Sequence, residues 1–95
     1  MLPSEFLETR ELCKRYGYMT NGQLQTLPEG SDACCLIGAT YAALKDDRYA
    51  LIRFEDELRA VIGTQRLIAW NDRPETTKEM ALAALRETER RLGMA

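Results

Sequence analysis

The chain has 95 residues, with 13 basic and 15 acidic side chains and a net charge of −2. That length fits one domain, and 45% hydrophobic with 29% charged residues is a globular balance rather than a disordered one. Residues 1–47 carry four basic and seven acidic side chains, and residues 48–95 carry nine and eight; neither half forms the basic surface that nucleic-acid binding requires.

The first helix is predicted from Ser4 to Tyr16. Leu2, Phe6, Thr9, Cys13 and Tyr16 recur at helical spacing, and Gly17 is a stop signal. Residues 17–30 read as a long connector. Asn21-Gly22 favours a tight turn between Tyr18-Met19-Thr20 and Gln23-Leu24-Gln25, which leaves room for a tiny hairpin.

A second helix is expected from Ser31 or Asp32, both good N-caps, to about Lys45. Its apolar residues lie on nearly every side, the mark of a buried helix. Gly38, Ala39, Ala42 and Ala43 would let neighbouring helices approach closely. Tyr49 to Ile62 fits a third helix ending at Gly63, although Tyr49–Phe54 taken alone also reads as a strand. Leu67–Trp70 is expected as a docked loop or a short helical turn.

The last helix is announced by Thr76-Thr77-Lys78-Glu79, which has the form of a capping box. Met80, Ala81, Ala84, Leu85, Thr88 and Leu92 form its apolar face. Arg86, Glu87, Glu89, Arg90 and Arg91 are placed outside, and Gly93 ends it. The fold expected is all-α, a compact bundle of about four helices with the long connector after the first.

Met1-Leu2-Pro3-Ser4-Glu5 lacks a secretory pattern, and the longest apolar run, Ala33–Leu44, is too short for a membrane span of about 20 residues. The cysteines are odd in number, and Cys34 and Cys35 are adjacent, a poor geometry for an ordinary disulfide. A cytoplasmic location is expected, with no membrane partner.

The chain has no histidine. That removes the commonest general base and the commonest metal ligand. No glycine-rich loop has phosphate-binding spacing. Glu55-Asp56-Glu57 points in three directions on a helix and reads as a solvated face. No catalytic residue, metal or cofactor is therefore expected.

Two local features stand out. Cys34-Cys35 sits in apolar surroundings with no base nearby, which favours packing over reactivity. Trp70-Asn71-Asp72-Arg73-Pro74 is a polar turn carrying the single Trp. The turn reads first as an anchor, with Trp70 largely buried and Asn71 and Asp72 organising nearby backbone. Its second reading is a binding loop of Trp70, Asn71, Asp72 and Arg73, with Tyr18 as a further candidate.

Cys35-Leu36-Ile37-Gly38-Ala39 gives C-x-x-G-A, and Trp70-Asn71-Asp72 is followed by Thr77 and a helix containing Leu85. This pattern, over roughly residues 31–92, resembles a domain-of-unknown-function family of small bacterial and phage proteins. The resemblance implies that Cys35, Gly38, Trp70, Asn71, Asp72 and Thr77 act together in one structural core, with Ala39 and Thr76 beside them. It implies no activity.

Ten of the thirteen basic residues are Arg, a residue over-used at protein interfaces because its planar fork pairs with carboxylates and stacks on aromatics. The expected function is a small protein-binding module, with a homo-oligomer and a phage-type inhibitor of a host defence complex as concrete forms. The rival is a small-ligand or nucleotide-binding protein, or a cysteine-dependent enzyme, centred on Cys34, Cys35 and Trp70-Asn71-Asp72. A pocket joining those segments favours the rival; an exposed apolar patch favours the binding module.

Overall fold

Pro3 is preorganised for a first helical turn, and Glu5 reaches back to accept a hydrogen bond from the Leu2 N–H (2.9 Å). They open helix α1 (Pro3–Glu8) in the computed structural model, which describes residues 1–14, 19–20, 23–24 and 33–95. The helix stops well short of Tyr16. The Arg10 N–H turns back to the Leu7 carbonyl (2.9 Å), and its guanidinium donates to the Phe6 carbonyl (2.8 Å) while lying 3.7 Å over the Phe6 ring.

The chain then forms β1 (Glu11–Leu12), which pairs in parallel with β4 (Ala33–Cys34) in the register Glu11↔Ala33 and Leu12↔Cys34. The Cys13 N–H continues the ladder to the Cys34 carbonyl (2.9 Å). A distant partner strand thus overrides the helical spacing of Thr9 and Cys13. Between these strands, β2 (Met19–Thr20) and β3 (Gln23–Leu24) pair antiparallel, while the expected Asn21-Gly22 turn lies outside the described residues.

The same pairing delays α2 (Leu36–Leu44), which starts beyond Ser31 and Asp32 because Ala33 and Cys34 are in the strand. Cys35 is its N-cap: the Sγ accepts from the Gly38 N–H at 3.2 Å. Nor is α2 buried all round. Leu36, Ala39 and Thr40 face the core, while Tyr41 is 58% exposed. Gly38 does not serve close helix packing either. A methyl group there would meet Cys35 Sγ at 3.5 Å and Cys34 Cβ at 3.8 Å, ordinary contact distances.

Helix α3 (Arg48–Ile62) follows the sequence reading closely. Asp47 caps it by accepting from the Ala50 N–H (3.1 Å), and Gly63 ends it at φ 81°. Leu67–Asp72 forms α4, a short helix rather than a docked loop, so Trp70-Asn71-Asp72 is a last helical turn and not an irregular one. Helix α5 (Lys78–Arg91) is capped by Thr77, whose hydroxyl accepts from the Met80 N–H (3.2 Å). The capping-box partner Thr76 is buried instead. The fold is mostly helical as expected, with α4 added and the β1–β4 pair inserted.

Leu7, Leu36, Ala39, Phe54, Leu58, Ala81 and Leu85 are fully buried and form the core where α1, α2, α3 and α5 meet. Each large apolar side chain there contributes roughly 1.5–3 kcal/mol. One acid joins them. Glu89, placed outside by the sequence reading, is 1% exposed and accepts from the Ser4 N–H (2.8 Å) and the Ser4 hydroxyl (2.6 Å). It anchors the start of α1 to α5, and the exposed pairs Arg90–Glu87 and Arg91–Glu87 occupy the outer face.

Candidate functional site

Asn71, in the last turn of α4, is 1% exposed. Its Oδ1 accepts from the Leu36 N–H (2.9 Å), and its Nδ2 donates to the Cys13 carbonyl (2.9 Å) and to Asp72 Oδ1 (3.0 Å). One amide therefore ties α4 to the end of β1 and to the start of α2. Both amide hydrogens are spent inside the protein. Thr76 donates to the Trp70 carbonyl (2.7 Å), closing the turn between α4 and α5. Lys14 completes the arrangement. Its ammonium donates to the carbonyls of Asn71 (2.6 Å), Arg73 (2.9 Å) and Thr76, compensating the negative end of α4.

These contacts bring Cys35, Gly38, Asn71 and Thr76 into one neighbourhood, with Thr77 at the adjoining cap. Trp70 is half-buried and packs on the core, less enclosed than expected; Asp72 is half-buried and Arg73 is exposed. Tyr18, the remaining binding candidate, lies outside the described residues.

Cys13, Cys34 and Cys35 are all buried, and none is in a disulfide. Burial first, and the neighbouring Cys35 thiol second, push the Cys34 thiol up from 9.0 to about 11. A thiol held so high is neutral at physiological pH and is a poor nucleophile. No group of three or more Cys, Asp or Glu side chains able to hold a metal occurs among the described residues.

Two hollows among the described residues lie elsewhere. A groove of about 380 Å³ runs between α2 and α3, lined by Tyr41, Lys45, Arg48, Leu51, Ile52 and Glu55. At Glu55 it meets a second hollow of about 560 Å³, bounded by Ile37 of α2, Arg59 of α3 and Arg66 to Ala69 at the start of α4. Tyr41 and Ile52 are 58% and 50% exposed, and Tyr49 and Ile68 are exposed as well. Large apolar side chains in water cost free energy that a bound partner would recover.

A family model spans residues 4–91, nearly the whole chain. The chain belongs to DUF6197, a family of unknown function. No curated protein and no solved structure matches it. Membership in DUF6197 brings no activity or ligand with it, so the chemistry must be read from the side chains themselves.

Several residues that matter were not singled out from sequence. Lys14 gave no signal of this role, because a lysine in the last turn of an expected helix looks like an ordinary surface cation. Glu89 did: it stands four residues after Leu85 and three before Leu92, on the buried stripe. Ile52 and Tyr49 also showed themselves, since neither shares the stripe of Leu51, Phe54 and Leu58 on α3. Tyr41 was hidden by the apolar surroundings of α2.

Proposed function

We propose that this protein is a small protein-binding module that engages its partner through the face built from α2, α3 and the start of α4. The observation that carries this reading is the clustering of exposed Tyr41 and Ile52 along a groove that continues, through Glu55, to exposed Ile68. An apolar patch rimmed by polar groups is the usual form of a protein interaction surface. The groups around Asn71, by contrast, are occupied in holding the fold together, and the cysteines are buried. Three cysteines outside any disulfide suit a reducing compartment such as the cytoplasm. An inhibitor of a host defence complex, of the phage type, is one form such a module takes: it acts by covering a partner's surface and needs no catalytic group.

The test is affinity capture from lysate of the cell that makes the protein, with wild type and Ile52→Asp as paired baits. The aspartate replaces an exposed side chain, so the fold survives, as a matching melting curve will show. A partner retained by wild type and lost from Ile52→Asp supports the reading. A partner retained equally by both baits overturns it.

A further inference from the structure

Two of the three cysteines face each other across the β1–β4 pair. The register sets Leu12 opposite Cys34, and the Cys13 N–H carries the ladder one residue further, to the Cys34 carbonyl (2.9 Å). In a parallel ladder that bond sets Cys13 opposite Cys35, whose backbone is still extended. The next rung runs through the Asn71 carboxamide, which accepts from the Leu36 N–H and donates to the Cys13 carbonyl. Asn71 thereby stands in for a peptide group and keeps the two strand ends in register.

Opposed residues of a strand pair point to the same side, and successive residues alternate. Leu12 and Cys34 point to the hydrophobic core. Cys13 and Cys35 therefore share the other side, where they are only 7% and 4% exposed. Adjacent strands lie about 4.8 Å apart, inside the roughly 4.4–6.8 Å between Cα atoms that a disulfide spans. Cys34 is set apart from this pair. Its side chain is turned into the core, and its adjacency to Cys35 is a poor disulfide geometry.

We infer that Cys13 and Cys35 are a reversible thiol–disulfide site, closed by a peroxide and opened by a small thiol. The Cys13 thiolate attacks one peroxide oxygen. The O–O bond breaks, the sulfur is oxidised to a sulfenic acid, and the departing hydroxide takes up the thiol proton as water. The Cys35 thiolate then attacks that sulfur. An S–S bond forms, the S–O bond breaks, and hydroxide leaves with the second thiol proton as water. In all, the two thiols give up two electrons and two protons, and one peroxide becomes two waters. The Cys35 Sγ keeps its lone pairs in the disulfide, so it still accepts from the Gly38 N–H and caps α2. The new bond ties the end of β1 to the start of α2, the junction that Asn71 holds by hydrogen bonds. It is independent of what the α2–α3 face binds.

The test uses the folded full chain, held for hours in dilute hydrogen peroxide at neutral pH, then unfolded and alkylated with iodoacetamide. Trypsin cuts after Arg10, Lys14 and Arg15, which separates Cys13 from the peptide holding both Cys34 and Cys35. The two peptides should be found linked within one chain, with the alkyl label on Cys34 in the fragmentation spectrum. Cys34→Ala should keep the link, and Cys35→Ala should lose it. The oxidised protein should melt roughly 10 °C higher, because the bond restricts the unfolded chain. Dithiothreitol should return both the thiols and the original melting temperature. A label on Cys35, a link between two chains, or oxygen added to the sulfurs without any link overturns the inference. So does a linked protein that melts at or below the temperature of the reduced one, since the pairing would then not belong to this fold.

Discussion

Asn71 bears more of the structure than any other single polar side chain described, because its amide serves three segments at once. Asn71→Ala strands the Leu36 N–H in a buried site, where an unsatisfied group costs about 1–3 kcal/mol, and removes a hydrogen bond from the Cys13 carbonyl. The variant should unfold at clearly lower urea than wild type; an unchanged midpoint would mean that water or a neighbour replaces the amide. Cys34, in β4, sets an alkaline limit. Cys34 titrates near 11 in the fold and near 9.0 when free. Its contribution is complete below pH 9 and is lost progressively toward pH 11, as the unfolded chain ionises first. Cys34→Ala should flatten the fall in melting temperature across that window. The same burial makes alkylation of folded wild type slow at neutral pH, and rapid labelling of Cys34 would contradict its enclosure. Glu87 works the other way: hydrogen bonds from Arg90 and Arg91 hold its carboxyl down at about 2. It stays ionised through mild acid, and an NMR titration of its carboxyl should show no midpoint near 4.5.

Among the elements, those whose limits are written locally were readable in advance. Gly63 after α3 and Gly93 beyond α5 act within one turn of themselves, so sequence alone located them; Asp47, the cap of α3, stands two residues before the expected start at Tyr49. The end of α1 and the start of α2 were misplaced because both are decided by Glu11–Cys13 meeting Ala33–Cys34, a contact between segments far apart in the chain. Thr76 and Thr77 show the limit of a motif. Both occur in the capping pattern, but only packing decides that Thr77 caps α5 while Thr76 turns inward to Trp70. Thr77→Ala should cost ~1 kcal/mol, the usual worth of a cap. Two glycines make a sharper contrast. Gly38 lies in a helix with room for a methyl group, so Gly38→Ala should be neutral or stabilise by up to about 1 kcal/mol. Gly63 holds φ 81°, and Gly63→Ala should destabilise by roughly 1 kcal/mol or more. Paired denaturant melts decide both; a loss of stability at Gly38 would restore close helix packing as its role.

For the whole molecule, the division of labour is spatial. The β1–β4 pair, Asn71, Lys14 and the Ser4–Glu89 contact lock the segments together on and inside the core. The α2–α3 face keeps Tyr41 and Ile52 in water with charged groups of both signs beside them. The residues of the C-x-x-G-A and Trp-Asn-Asp patterns were visible in the sequence because they are unusual in type. The groove was not, because it depends on which side of two amphipathic helices the other elements leave uncovered. Sequence periodicity gives the width of an apolar stripe but not the identity of what packs against it. The most direct test of the groove as the working surface is site-specific photocrosslinking in the producing cell. A benzophenone amino acid replaces Tyr41 in one variant and Ala83, on the exposed face of α5, in the other. The account predicts a discrete higher-mass adduct from position 41 and none from position 83. An adduct from position 83 with none from position 41 would contradict it.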